Sequence, residues 1–177
     1  MILGANRLTQ LIEDGCIDAP FENVNGASID VRIGPRMLFE FRPDRAVVDL
    51  ASKGSLDFND VAVPNDSGVL VAPGEFFLAE TMETLALPDN ICCEFKLRSS
   101  VARNGLQHML AGWVDPGFHG KLTLEFVNAT QWHNLSIDVG MRIGQLVFFE
   151  VEEAGEYSYR HRGRYQDQGG VTASKGA

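Results

Sequence analysis

Between residues 28 and 151 the chain is cut into short runs of alternating apolar residues separated by Pro and Gly, and this punctuation limits the available folds more than any other feature. In Ser28-Ile29-Asp30-Val31-Arg32-Ile33-Gly34 the apolar residues fall at every second position, the period of a strand that buries one face. Met37 to Phe41 follows after Gly-Pro, and Gly68 to Ala72, Phe76 to Met82, Ile91 to Leu97, Leu122 to Asn128 and Ile143 to Val151 extend the pattern. Strands this short and evenly spaced predict an antiparallel barrel or jelly-roll-like body, because βαβ units would need helical stretches between them. Residues 5 to 14 place Leu8, Leu11 and Ile12 on one helical face and stop at Gly15. A second short helix is expected between Arg98 and Asn104, with Ser99 or Ser100 as N-cap and Gly105 as terminator. The polar segment from Arg42 to Ser67 reads as a long excursion between strands. The Gly-rich end, residues 163 to 177, reads as a mobile tail on a single 177-residue domain.

The stretch Gly112-Trp113-Val114-Asp115-Pro116-Gly117-Phe118-His119-Gly120-Lys121-Leu122-Thr123-Leu124-Glu125-Phe126-Val127-Asn128 joins a turn-rich loop to a strand. Counting by twos puts Leu122, Leu124 and Phe126 on one side, and Lys121, Thr123, Glu125 and Val127 on the other. A stiff strand holding Glu125 just after an Asp-Pro-Gly turn suits a general base beside a substrate loop. The strand alone equally allows a half-exposed Glu that faces water. The Arg98-Ser99-Ser100 helix entry is a ready anion site, with Ser99 and Arg103 on one face; it also fits an ordinary capped surface helix.

A net charge of −9 argues against a nucleic-acid surface, which draws most of its affinity from basic residues. It does not exclude a small anion, because screening confines surface charge to about 8 Å at physiological salt. Cys16, Cys92 and Cys93 form neither an even disulfide framework nor a metal pair and read as buried small hydrophobes. With no run of 18 apolar residues and no secretory signal pattern, the expectation is a cytoplasmic protein with no membrane contact. No phosphate-binding Gly motif, nucleophile elbow or zinc-deaminase signature occurs, and His108, His119, His133 and His161 lack zinc-helix spacing, so hydrolysis here would activate water without zinc.

Taken together, Arg98-Ser99-Ser100-Val101-Ala102-Arg103-Asn104-Gly105-Leu106, Ala111-Gly112-Trp113-Val114-Asp115-Pro116-Gly117-Phe118, Thr123-Leu124-Glu125 with Asn128, and Tyr165-Gln166-Asp167-Gln168-Gly169 resemble the dCTP deaminase family of the dUTPase-like superfamily. Gly26 to Gly34 and Ile143-Gly144-Gln145-Leu146 resemble its first and late strands, so the likeness spans nearly the whole chain. The resemblance implies a mainly β, distorted barrel or jelly-roll-like dUTPase-type fold with a short N-terminal helix and one short internal helix. It implies homotrimers with sites at subunit interfaces, and a deoxynucleoside triphosphate of the dCTP or dUTP type carrying Mg2+ on its phosphates. By position, Glu125 would be the general base that takes a proton from water attacking C4 of cytosine and passes it to the departing ammonia. Ser99, Arg103 and the backbone at Ala111 would orient water and base, and Arg98, Ser99 and Ser100 would meet the phosphates. Asp115 would hold the deoxyribose, Thr123 and Leu124 would line the base pocket, and Gln145, Tyr157, Arg164 and Gln168 would reach the phosphates under the closing tail.

Two departures stand out: Leu97 where the family has Gly, and Arg164 where it has Lys, which keeps the charge but changes its geometry. Monofunctional members carry His-Arg where this chain has Gly112-Trp113, so the resemblance leans toward a bifunctional enzyme that forms dUMP and pyrophosphate instead of stopping at dUTP. A dUTPase without deamination has an apolar residue at the position of Glu125; a non-catalytic nucleotide-binding regulatory relative is the third reading.

Overall fold

The computed structural model describes residues 1–41, 47–50 and 56–176. Helix α1 (Ala5–Glu13) buries Leu8 and Leu11 and ends where Gly15 turns through φ +72°. Ten strands follow: β1 (Ile29–Glu40), β2 (Phe58–Ala62), β3 (Gly68–Val71), β4 (Phe76–Ala86), β5 (Ile91–Leu97), β6 (Leu106–His108), β7 (Trp113–Val114), β8 (His119–Asn128), β9 (Leu135–Asp138) and β10 (Arg142–Glu150). Helix α2 (Ser99–Ala102) lies between β5 and β6, and α3 (Tyr159–Arg162) follows the last strand. The main sheet runs β6-β8-β4-β1-β10-β5-β7, with β2 paired to β1, while β3 and β9 form a separate antiparallel pair. Every pairing between these strands is antiparallel.

The sheet curls into a half-barrel, and its interior shows why. Phe95 of β5 and His108 of β6 stand near opposite ends of the strand order, yet their rings lie 4.7 Å apart. Phe126 of β8 completes the group at 6.4 Å from Phe95 and 5.3 Å from Phe77, which itself stacks on Phe39 at 5.2 Å. A flat sheet would leave these apolar faces in water; curling buries Phe77, Phe126 and Phe148 completely.

The spacing predicts a break at Gly34-Pro35, but β1 runs through it. The first part of β1 pairs with β10, the second with β2 and β4, and Pro35 falls within the register shift between Ile33 and Met37. Proline is tolerated there because no ladder bond needs its missing N–H, and its carbonyl still accepts from Val63 N at 2.8 Å. Strand β2 was hidden in the segment read as an irregular excursion: it is a largely exposed edge with no apolar alternation. Residues 42–46 and 51–55 of that excursion lie outside the described residues. The remaining unanticipated strands, β6, β7 and β9, are too short to show a period.

The last segment runs alongside β8 in the same direction, with Gly120 and Gln168 as a parallel bridge. Lys121 N donates to Gln168 O at 2.8 Å, and Gln168 Nε2 donates to Lys121 O and Thr123 Oγ1 at 3.0 and 2.8 Å. Val171 N donates to Glu80 Oε2 at 3.1 Å and Thr172 N to Thr123 Oγ1 at 3.0 Å. Gly120, at φ +135°, permits this approach, because a Cβ there would sit 2.7 Å from Gln168 N. The segment read from sequence as a closing tail therefore lies over the face of β8 that carries Glu125.

Candidate functional site

A cavity of about 460 Å³ opens where β8, the loop before β7 and the last segment meet. Ala111, Asp115, Thr123, Leu124, Glu125 and Gln168 line it, so one part of the residue set expected from sequence converges here. Trp113 and Tyr165, both within the motifs quoted above, and Phe95 and Tyr159, which the sequence did not single out, add aromatic rings to the wall. An apolar wall with a few convergent polar groups suits a planar heterocycle carrying hydrogen-bonding edges.

Glu125 stands opposite Leu78 of β4, and the expected alternation holds: Leu122, Leu124 and Phe126 are buried, whereas Thr123 and Glu125 face the cavity side half-buried. Its Oε2 is buried and has no hydrogen-bond partner among the described residues. Burial pushes the carboxyl above the usual Glu range, partly offset by a backbone hydrogen bond. The nearest basic group is His108 Nε2 at 3.8 Å, itself buried and without a partner. Desolvation, with a smaller push from Lys96, lowers His108 to about 4, so the imidazole is neutral at pH 7 and the two do not form an ion pair. His108 was passed over in the sequence because it fits no metal spacing, although Leu106 and His108 already sit on the inward side of Gln107.

The turn that carries Ala111 is held tightly. Leu110 is 83% exposed and adopts φ +64°, a left-handed conformation that side chains avoid unless the surroundings impose it. Met109 N is tied to Glu125 O at 3.2 Å, and Gly112 O accepts from Phe95 N at 2.8 Å. Gly112 is required because a Cβ there would lie 2.7 Å from Phe95 O. Beyond it, Trp113 Nε1 donates to Asp115 Oδ1 at 2.9 Å and orients that carboxylate.

Arg98, Ser99, Ser100, Arg103 and Gln145 do not line this cavity. The helix start differs from the expected one: Arg98 is the N-cap and no side chain caps it, because a guanidinium has no acceptor to offer; Arg98 O accepts from Val101 N and Ala102 N at 3.0 Å each. Four residues make only one turn, so α2 supplies no helical anion site by itself. Ser99, Ser100 and Arg103 are exposed, and their side chains have no partner among the described residues. Arg98 Nη1 lies 3.2 Å and Arg142 Nη1 3.6 Å from the buried carboxylate of Asp30. Asp30 faces Gln145 in the β1–β10 register, and Ser28 Oγ donates to Gln145 Oε1 at 2.8 Å. The signal that singled out Glu125, an acid within an apolar strand, was equally present at Asp30. Tyr157 is exposed with the Arg162 guanidinium 4.4 Å over its ring, and Arg164 donates to Gly176 O.

Comparison with known proteins places this geometry among relatives. A family model described as dCTP deaminase-like matches residues 2–151. A protein of Persephonella marina named dCTP deaminase, dUMP-forming, is 40% identical over 179 residues, covering 99% of this chain and 97% of its own length. One of Methanosphaerula palustris with the same name is 39% identical over 160 residues, covering 88% of this chain and 84% of its own. Among solved structures, the 2′-deoxycytidine 5′-triphosphate deaminase of Agrobacterium tumefaciens superposes with a TM-score of 0.66 at 21% identity, over 83% of this chain and 47% of that one. The chain thus spans about half the length of that structure, and the likeness is one of fold.

Proposed function

This chain belongs to the dCTP deaminase-like family, and we propose that it hydrolyses the exocyclic C4–N bond of dCTP and then cleaves the triphosphate, giving dUMP, ammonia and pyrophosphate. The observation that carries the reading is Glu125: a carboxylate oxygen buried without a partner among the described residues, at the wall of a cavity with ample room for a nucleobase and more of a nucleotide. A dUTPase that leaves the base intact has no use for such a group.

In the proposed reaction Glu125, ionised, accepts a proton from water as the water oxygen bonds to C4. The same carboxyl returns the proton to the exocyclic nitrogen as the C4–N bond breaks, so ammonia leaves and a uracil ring remains. Its raised proton affinity suits this shuttle, because burial moves the carboxyl from the ordinary Glu range toward the working pH, where taking and giving a proton are better matched. No zinc is involved. Ala111, Thr123 and Leu124 would offer backbone groups to the pyrimidine edge, and Asp115, fixed by Trp113, would hold the deoxyribose. A second water attacks the α-phosphorus and releases pyrophosphate; the relatives named dUMP-forming support this step. The phosphates of the substrate would carry Mg2+, whose charge would offset theirs. Among the described residues no three His, Cys, Asp or Glu side chains converge as a metal cage, and magnesium carried by phosphates needs none.

Ammonia, dUMP and pyrophosphate are expected in equal amounts when the chain is incubated with dCTP and Mg2+. Chromatography that finds dUTP accumulating would restrict the enzyme to deamination, and unchanged dCTP would remove the reading altogether.

The exposed Ser99, Ser100 and Arg103 side chains and the Asp30-held Arg98 stand apart from the cavity, which fits the homotrimer that the family resemblance implies, one subunit offering its arginine-serine edge to the cavity of the next. Exposed Met109, Leu110 and Trp113 beside the cavity supply apolar surface for such contact. Sedimentation should give three times the 19.4 kDa chain mass. Trimers mixed from Glu125→Gln and Arg103→Ala chains should regain activity that neither variant has alone; no recovery on mixing would place both residues in one subunit's site.

A further inference from the structure

Two buried polar atoms without hydrogen-bond partners among the described residues, His108 Nε2 and Glu125 Oε2, face each other 3.8 Å apart at the edge of the cavity. Buried polar groups in folded proteins are almost always satisfied, so a facing pair that is not calls for a reason. Packing alone does not supply it. The imidazole is clamped between Phe95, 4.7 Å away, and Phe126, 5.8 Å away, a slot that a phenyl ring would fill without any polar atom to desolvate. The backbone is not slack either, since β6 pairs with β8 at His108 and Phe126, and Met109 N holds Glu125 O.

We propose that His108 is a positioning residue for the reaction: its Nε2–H donates a hydrogen bond to Glu125 Oε2 and holds that carboxylate, ionised, toward the substrate. The inference rests on Glu125 being the general base. The gap must close by somewhat less than an ångström, which is ordinary for catalytic hydrogen bonds that are long without substrate and tighten with it. His108 stays a neutral donor throughout the working range, because burial keeps its proton affinity near 4. The charged groups that act on the pair are Glu125 itself, from β8, and, from the exposed face of β5, Lys96, which is bonded to Glu94 and adds a second influence against a charged imidazole. The hydrogen bond therefore opposes desolvation at Glu125: burial favours the neutral acid, and the donor favours the carboxylate that can accept a proton.

The test is the pH profile of kcat/KM for ammonia release from dCTP in His108→Phe and His108→Asn. The Phe variant keeps the ring packing and removes the donor, so its acid limb should move about one pH unit upward, a tenfold loss on that limb, with KM for dCTP changed less than about twofold. The Asn variant keeps a donor and should bring the limb most of the way back. An unmoved limb, or equal losses in both variants at every pH, would overturn the proposal. His108→Leu serves as a second donor-free variant should the Phe chain fail to fold. If the wild-type protein releases no ammonia, the functional reading fails separately, and the pair is judged by 13C NMR of the Glu125 carboxyl, assigned by its loss in Glu125→Gln. A higher titration midpoint without the donor supports the contact, and an unchanged midpoint overturns it.

Discussion

Glu125→Gln is expected to lower kcat for ammonia release by a factor of about 10² to 10⁴, the usual contribution of a positioned general base, while dCTP still binds. The amide has nearly the size and shape of the carboxyl and offers a hydrogen-bonding oxygen, but it cannot take up the proton of the attacking water. Because Glu125 lies on a ten-residue strand paired on both sides, to β4 and β6, the change should leave the backbone where it is. It should also raise thermal stability slightly. Burial lifts the proton affinity of Glu125, so its ionised form costs stability above the ordinary carboxylate range, a cost that fades as pH falls through the raised value and that glutamine avoids. The same sign governs activity: deamination should fall with pH below a limb lying above about 4.3, the unperturbed Glu value. An ammonia-coupled assay with calorimetric titration of dCTP checks both halves. Wild-type turnover in the variant would end the role assigned to this side chain.

The second large effect is expected one residue further along. Phe126 is fully buried and touches the rings of Phe77, Phe95 and His108, which belong to β4, β5 and β6. Phe126→Ala removes the ring that joins the two ends of the curled sheet. A cost of about 3–5 kcal/mol follows from lost burial and the cavity left behind. For a chain of this length that corresponds to a melting temperature lower by roughly 6–20 °C, compared at equal protein concentration because assembly also contributes. Activity should drop even where the variant is folded, since His108 loses one wall of its slot and Glu125 its neighbour. A melting temperature within about 3 °C of the wild type would show that the aromatic column does not hold the curl together.

The alternation around Val31, Phe95 and Leu124 is a strong local signal, because each strand needs one water-free face, and it was enough for the β class and for which face Glu125 occupies. Short edges such as Trp113–Val114 carry no such signal and are ordered by pairing with a neighbour. The same holds for the site. The Asp-Pro-Gly turn, Glu125 and the Arg-Ser-Ser run were visible as residue patterns, and relatives 39–40% identical support the activity drawn from them. Nothing local pointed to His108, whose meaning depends on a strand 17 positions away in sequence bringing Glu125 to 3.8 Å. Asp30 gathering Arg98 and Arg142 depends on β1, β5 and β10 lying side by side.

By itself the sequence determined the longer alternating strands, their buried faces and the chemical kinds of residue available for catalysis, because periodicity and turn chemistry act over a few residues. Only the tertiary structure decided which of those residues share a cavity, which stand apart from it, and which polar atoms are stripped of water. Those outcomes come from long-range pairing and burial, and it is burial that lifts the proton affinity of Glu125 above the ordinary glutamate range.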